Sequence, residues 1–345
     1  MNQAEKLLAT LPPLVIEELR LQGITLSCST QVTRMTHGLS NQNYLLRDGD
    51  NRWVLRVNSS ASDQLCDRQA EVENWRLAAK AGLAPSLYYV SSDHAYFVSE
   101  YIEEEASRQW AELLSAQTAQ MAQLLPHDSL IWPNADKQLL VLLHGLAKLT
   151  VPDNIISVTS QWLSYLGQLR TIEAGNLVEK SNNMRTQWLV HWHQLLSLEV
   201  DISQWLDELS ACALGSQYSH RDLNPHNLLY KNGQIWCIDF EYACGSHPLF
   251  DLAGVLSTHE LSIKQREALI HAYLLNHPKL TADARSALPA AINIYWVFGA
   301  CWSLLMAASH ATVFDGNYLG TKMNSNPHKD QEYLNCFTQF FSLID

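Results

Sequence analysis

The chain has 345 residues, of which 47% are apolar, and a formal net charge of −12 at pH 7. This length allows one large or two medium domains with a substantial core, and the apolar content excludes a largely disordered chain. The acidic balance disfavours nucleic acids and anionic membranes as partners, and it suits a cationic small molecule.

The cysteines are scattered along the chain and show no CxxC spacing. They are Cys28, Cys66, Cys212, Cys237, Cys244, Cys301 and Cys336. An odd number of dispersed thiols favours a reduced, cytoplasmic protein over a disulfide framework or a zinc site. The N-terminal stretch carries Glu5 and Lys6 and has no long apolar core, so we expect no signal peptide there.

The first hundred residues predict a small sheet with one helix. Residues 1–22 favour a helix interrupted at Pro12-Pro13. Strand patterns cover 24–36, 43–47, 52–58, 86–90 and 95–101, and a helical pattern covers 64–80. After Glu103-Glu104-Glu105 the chain becomes mostly helical, which predicts a domain over 1–102 and a second over 103–345. Residues 103–200 show little beyond helical character.

One uncharged stretch, residues 287–309, is long enough to span a bilayer. It contains Pro289, Asn293 and Gly299, and the chain has no other segment of this kind. A buried helix of a large helical domain is therefore the favoured interpretation, with a membrane span as the alternative.

A β-hairpin is predicted where Asn232-Gly233 separates two apolar runs. Asn-Gly supplies the positive φ angles that a two-residue type I′ turn requires. Antiparallel pairing would bring Asn227, before the first strand, close to Asp239, after the second. With Asp222 just upstream, these oxygen ligands suit a hard cation with a base beside it.

His220, Asp222 and Asn227 have the spacing HxDxxxxN of the kinase catalytic loop, and Asp239 in IDFE takes the place of the metal-binding Asp of DFG. The chain resembles the aminoglycoside phosphotransferase and choline kinase superfamily over residues 30–102 and 215–345. Its GLSN, VLRV and IDFEYA motifs are similar to those of choline and ethanolamine kinases, and bacterial thiamine kinase is a close relative. The resemblance implies an α+β fold of protein kinase type, with a small antiparallel-sheet N-lobe and a large, mainly helical C-lobe.

The resemblance also implies roles for individual residues in an ATP- and Mg²⁺-dependent reaction. Asp222 would be the catalytic base, and Asn227 and Asp239 would bind Mg²⁺. Arg56 would hold the nucleotide phosphates, with Glu71 as its ion-pair partner. From the residues alone, Arg56 could instead be a snorkelling side chain and Glu71 a solvated helix charge, with Glu73 as a rival partner.

Two further segments are expected to contact the nucleotide. Gly38, Leu39, Ser40 and Asn41 form a turn whose backbone amides could approach phosphate, although a plain hairpin turn fits the residues equally well. The segment from Glu100 to Ile102 corresponds to the hinge that holds adenine.

The substrate is expected to contact Glu241 and Trp302. Glu241 follows Asp239 by two residues and would touch either a second metal or a cationic head group. Trp302-Ser303 resembles the choline-binding helix of choline kinases, with Tyr295 or Phe298 replacing the second aromatic residue because Gly299 stands in its place. A core role for these rings is an equal alternative.

The predicted function is phosphorylation of a small cationic alcohol, choline or ethanolamine. Thiamine kinase and aminoglycoside phosphotransferase are alternatives, and an inactive nucleotide-binding module is an alternative of another class. A protein kinase is disfavoured because Asn224 replaces the usual Lys and no Ala-Pro-Glu follows Asp239.

Overall fold

The computed structural model describes residue 7 and residues 10–27, 29–35, 41–58, 66–104, 109–113, 132–175, 181–309 and 327–345. The predicted phosphate turn at Gly38, Leu39 and Ser40 lies outside these described residues, and only Asn41 of that group falls within them.

Strands dominate the N-terminal region. Its elements are α1 (Pro13–Leu21), β1 (Gln31–Met35), β2 (Gln42–Asp48), β3 (Asn51–Val57), α2 (Arg68–Lys80), β4 (Leu87–Val90) and β5 (Tyr96–Glu100). Helices dominate the following region: α3 (Ala135–Ala147), α4 (Val158–Ala174), α5 (Asn182–Leu196) and α6 (Glu199–Cys212).

The last part of the chain begins with short strands and continues as helices. It holds β6 (Gln217–Ser219), β7 (Leu228–Lys231), β8 (Gln234–Cys237), β9 (Cys244–Ser246), α7 (Phe250–Thr258), α8 (Ile263–Leu274), α9 (Leu288–Ser309) and α10 (Pro327–Phe341). Single 3₁₀ turns occur at Trp110–Leu113, Pro225–Asn227 and Ala282–Arg285. The sequence thus predicted the strand-rich and helical regions correctly.

The chain forms two compact units. The first comprises Met1–Thr118 with Asp222–Ala243, and the second comprises Ala119–Arg221 with Cys244–Asp345. The hairpin therefore belongs to the same unit as the N-terminal sheet. The predicted division of the chain at residues 102 and 103 stays a prediction.

An antiparallel sheet with the order β1-β2-β3-β5-β4 forms the frame of the first unit. The first predicted strand is shorter than its apolar pattern suggested, since the described residues 24–27, 29 and 30 lie outside β1. Thr30 explains the difference, because its hydroxyl accepts a hydrogen bond from Ser27 N at 2.9 Å and closes a turn before the strand.

Helix α1 packs on this sheet through the buried side chains of Val15 and Leu19. It begins at Pro13, where a missing N–H costs no helical hydrogen bond, so the two prolines start this helix. Leu19 packs in one apolar cluster with Leu55 of β3 and Val98 of β5. Burial of such a side chain contributes about 2 kcal/mol to stability.

Helix α2 is fixed to both β5 and the hairpin segment by Trp75. Its ring lies edge-on to Phe97 at 6.3 Å and stacks on Phe240 at 5.8 Å, and its Nε1 donates to Pro85 O. The helix begins after Asp67, whose carboxylate accepts hydrogen bonds from two amides of the first turn. These contacts place the first turn of α2 beside the carboxylates that follow the hairpin.

In the second unit, helix α9 is the long apolar helix predicted from residues 287–309. The stretch Leu288–Ala308 is long and apolar enough to cross a membrane, yet 78% of the 18-residue apolar window within it is buried in the protein. Gly299 allows α10 to approach, because a Cβ added there would lie 3.1 Å from a ring carbon of Phe340. Close helix packing therefore accounts for a glycine at this position.

Candidate active site

The predicted hairpin positions the first group of site residues. Asn232 has φ +52° and Gly233 has φ +82°, as a type I′ turn requires, and β7 pairs antiparallel with β8 from Leu228↔Cys237 to Lys231↔Gln234. Beyond the paired residues, Ile238 N donates to Asn227 O at 3.0 Å. The hairpin therefore brings the chain before Asp239 against Asn227.

Asp222 and Asn227 are in direct contact. Asn227 Nδ2 donates to Asp222 Oδ2 at 2.8 Å, and Asn224 Nδ2 donates to the other carboxylate oxygen, Oδ1, at 2.8 Å. Both carboxylate oxygens are thus oriented by neutral amides, and each keeps a second lone pair that could accept a proton. Burial raises the pKa of Asp222, while the two amide hydrogen bonds lower it and the charge of Glu241 raises it further.

The arrangement of Asn227 suits a metal ligand. Its Nδ2 is directed at Asp222, so its Oδ1 acceptor is directed elsewhere. Within the described part of the chain, no protein donor contacts this oxygen. An amide oxygen and a carboxylate oxygen are the donors that Mg²⁺ prefers.

Asp239 follows Ile238, whose backbone is hydrogen-bonded to that of Asn227. Its backbone has φ +67°, a left-handed conformation that is uncommon for residues other than glycine and that occurs often at functional sites. A third of its side chain is exposed, and Arg56 Nη1 lies 3.4 Å from its Oδ1. Burial and the neighbouring charge of Glu241 raise the pKa of Asp239 well above its usual range.

Arg56 on β3 forms the predicted ion pair with Glu71 on α2. Arg56 Nη2 lies 2.5 Å from Glu71 Oε1, and the Glu71 side chain is fully buried. Arg56 Nε donates to Asn58 Oδ1 at 2.6 Å, and the guanidinium lies 5.1 Å from the centre of the Phe97 ring. The rival residue Glu73 is exposed and accepts a hydrogen bond from Gln69 instead.

Glu241 lies in the same ion-pair cluster. Its Oε1 accepts hydrogen bonds from Asn41 Nδ2 at 2.6 Å, from Arg68 Nη1 at 2.8 Å and from Arg56 Nη2 at 3.3 Å. Burial alone would raise the pKa of Glu241, but the charges of Arg56 and Arg68 lower it. The carboxylate is therefore ionised and held by the protein through one oxygen.

Sequence reasoning missed Arg68 and Asn74, both on α2. Arg68 Nη1 also contacts Glu71 Oε2 at 2.7 Å, and Asn74 Nδ2 donates to Ala243 O at 2.7 Å. Arg68 precedes Glu71 by three residues, so the two share a helix face, and this spacing could have indicated the pair. Nothing in the spacing of Asn74 points to its partner.

The predicted hinge residues lie at the end of β5. Glu100 is the last residue of the strand, and its Oε2 accepts a hydrogen bond from Ser86 N at 3.2 Å. Ile102 follows it and is buried. Their role in binding adenine stays a prediction.

The second unit contains the backbone that precedes Asp222. Asp251 on α7 accepts hydrogen bonds from Ser219 Oγ, His220 N and Arg221 N at 2.7, 3.0 and 2.8 Å. Arg221 has φ +69°, and its guanidinium lies over the Phe250 ring at 4.7 Å. Asp251 therefore fixes the chain segment that leads into Asp222.

Trp302 lies on α9, in the second unit, whereas Glu241 belongs to the first. The Trp302 ring is half-buried and lies edge-on to Tyr333 of α10 at 5.5 Å. Of its predicted companions, Phe298 packs on Tyr165 and Phe250, and Tyr295 packs on Phe250. Those two rings therefore serve the packing of the helices.

The family assignment follows from a match over most of the chain. The family model described as "Phosphotransferase enzyme family" matches residues 31–285. The chain belongs to the phosphotransferase enzyme family. The matched segment includes the predicted catalytic, metal and nucleotide-binding residues together with Glu241, and it ends before Trp302.

Two curated relatives and one solved structure are similar to this family member. Protein LicA of Haemophilus influenzae is 25% identical over 240 residues, covering 68% of this chain and 60% of the relative. Ethanolamine kinase of Drosophila melanogaster is 26% identical over 318 residues, covering 85% and 56%. The match thus spans less than two thirds of each relative's length.

The solved structure is the choline kinase LicA from Streptococcus pneumoniae. It superposes with a TM-score of 0.59 at 15% identity, covering 94% of this chain and 98% of that one. This likeness confirms the predicted kinase-like fold class, with its antiparallel sheet and its mainly helical region.

Proposed function

We propose that the protein is a kinase that transfers the terminal phosphoryl group of ATP to the hydroxyl group of choline or ethanolamine. The observation that carries the proposal is the cluster of Asp222, Asn227 and Asp239 in a member of a phosphotransferase family. The similar proteins that are named choline kinase and ethanolamine kinase support the choice of substrate.

Asp222 is the proposed base. Its carboxylate is oriented by Asn224 and Asn227 before any substrate arrives, so no reorganisation is needed to accept the hydroxyl proton. A raised pKa makes the ionised carboxylate a stronger proton acceptor. Its proposed step is to orient the alcohol and to take up its proton as the oxygen attacks the phosphorus.

Asn227 and Asp239 are the proposed ligands of Mg²⁺. The like charges that raise the pKa of Asp239 are the arrangement that a divalent cation would stabilise. When bound, Mg²⁺ would neutralise charge on the nucleotide phosphates. Arg56, fixed by Glu71, is the proposed cation for the same phosphates, with the hinge at Glu100 and Ile102 as the proposed adenine contact.

A substrate panel tests this proposal. The purified protein is incubated with labelled ATP and Mg²⁺ and with choline, ethanolamine, thiamine or kanamycin in parallel. We expect phosphorylated choline or ethanolamine as the main product. Preferred turnover of thiamine or kanamycin would overturn the substrate assignment, and Mg²⁺-dependent ATP binding without turnover of any alcohol would favour an inactive nucleotide-binding module.

A further inference from the structure

Arg68 is a buried cation between two carboxylates of different segments. It is the first residue of α2, and only 8% of its side chain is exposed. Its Nη1 lies 2.7 Å from Glu71 Oε2 and 2.8 Å from Glu241 Oε1. One nitrogen therefore links the helix to the segment that follows Asp239.

The distances show how the two guanidinium groups divide the carboxylates. Arg56 Nη2 is 2.5 Å from Glu71 but 3.3 Å from Glu241, whereas Arg68 Nη1 is 2.8 Å from Glu241. Arg68 is thus the closer partner of Glu241, and Arg56 is the closest cation to Glu71. Each buried carboxylate has a cation of its own, which offsets the large cost of burying an unpaired charge.

Without Arg68, two buried carboxylates, Glu71 and Glu241, would share the single guanidinium group of Arg56. Glu241 would keep Arg56 as its remaining guanidinium partner, so Arg56 would be attracted toward Glu241. Arg56 Nη1 makes only a long, 3.4 Å contact with Asp239. It is therefore the nitrogen of this guanidinium that the protein holds most weakly. A displacement of Arg56 toward Glu241 would therefore change the position of Nη1 first.

We propose that Arg68 is a positioning residue that neutralises Glu241 and thereby keeps Arg56 directed at the nucleotide phosphates. This inference rests on the proposed function, since it assumes that Arg56 binds those phosphates. Arg68 acts through Arg56 and Glu241, so its loss weakens the binding of nucleotide and leaves the affinity for the acceptor alcohol nearly unchanged.

The test measures nucleotide binding without any acceptor. The dissociation constant of a fluorescent ATP analogue is determined with Mg²⁺ for the wild type, Arg68→Gln, Arg68→Lys and Arg76→Gln. We expect Arg68→Gln to raise it about tenfold, the size of effect typical of coupled buried contacts. Arg68→Lys keeps the charge and should stay within about threefold of the wild type. Arg76 is exposed on the same helix, and its variant should bind normally.

A second variant separates positioning from a general loss of structure. Arg68→Gln/Glu241→Gln removes the unpaired carboxylate together with its cation, and it should bind nucleotide more tightly than Arg68→Gln alone. A purely structural role for Arg68 predicts that the KM for ATP and the KM for the alcohol change together. The KM for ATP should rise in Arg68→Gln while the KM for the alcohol changes less than about twofold.

Wild-type nucleotide affinity in Arg68→Gln would overturn the proposal, and so would equal changes in both KM values without recovery in the double variant. If Arg68→Gln does not fold, tenfold weaker binding by the folded Arg68→Lys protein would also count against it, because the charge is retained. The binding measurement contains no alcohol, so failure of the choline and ethanolamine assignment would leave its outcome interpretable.

Discussion

The Asp239 carboxylate and the aromatic rings of helix α9 differ in how completely the protein provides them with partners. Asp239 is a third exposed, has a raised pKa and makes only a long contact with Arg56. Along α9, Tyr295 and Phe298 pack against other rings. We therefore propose that the incompletely paired charge of Asp239, more than the stripe of aromatic residues, marks the candidate site.

The largest expected effect comes from substitution of Asp239, the partly exposed carboxylate. Asp239→Asn should lower Mg²⁺-dependent turnover by about 10³-fold or more, since a metal ligand contributes several kcal/mol of transition-state stabilisation. Steady-state assays over a range of Mg²⁺ concentrations check this result. A variant that keeps full activity would show that the metal is held elsewhere.

The same variant should be more stable than the wild type. The folded-state pKa of Asp239 is raised above its unfolded value, so its contribution to stability is lost as the pH rises through the folded pKa. A carboxyl group whose pKa is raised on folding costs stability at any pH above its unfolded pKa, so Asp239→Asn should raise the Tm by about 1–3 °C. A lower Tm in thermal unfolding of the ligand-free protein would contradict this account.

The next effect is on the stability of the protein and concerns the packing of α9 against α10. Gly299→Ala places a Cβ 3.1 Å from Phe340, and overpacking of about 1–3 kcal/mol should exceed the gain in helix propensity of about 1 kcal/mol. Gly167 in α4 has no heavy atom within 4 Å of an added Cβ, so Gly167→Ala should be neutral or stabilising. Chemical denaturation of both variants measures the contrast, and equal stability would show that the helices can separate at Gly299.

A smaller effect is expected at Trp302, the half-buried ring of the same helix. Trp302→Ala should raise the KM for choline about tenfold, the loss of a cation–aromatic contact of ~1–2 kcal/mol, with little change in the KM for ATP. Trp296 stacks on Phe340 at 5.6 Å, so Trp296→Ala serves as the control and should lower the Tm without selective effects on either KM. Equal changes in both KM values of Trp302→Ala would count against a substrate role.

The smallest expected effect is a displacement of the pH profile. Asp222 must be ionised to accept a proton, and burial raises its pKa. Activity should therefore fall on acidification at a pH above the ordinary aspartate pKa of about 3.9. The pH dependence of kcat/KM checks the direction, and an acid limb at or below that value would contradict the raised pKa.

Much of the charged site could be predicted from the sequence, because spacing along a regular element fixes geometry. Asn232-Gly233 specified the hairpin turn, and the turn placed Asn227 close to Asp239. The Arg56–Glu71 pair followed from the resemblance to kinases, because the residues alone left Glu73 as a rival partner.

Other parts depend on tertiary packing, which local patterns do not encode. Asn74 bonds to the carbonyl of Ala243, far along the chain, and Gly299 is explained only by the approach of Phe340. The aromatic residues of α9 share one sequence pattern, yet Phe298 packs in the core while Trp302 is half-buried. Residue type alone could not distinguish these two environments.

The most direct test of the central claim is Asp222→Asn, measured for both turnover and nucleotide binding. The amide keeps the size of the side chain but removes the proton acceptor, so kcat should fall by about 10²–10⁴-fold while the dissociation constant for ATP changes little. Full ATP-dependent phosphorylation by Asp222→Asn would contradict the role of this carboxylate as the base.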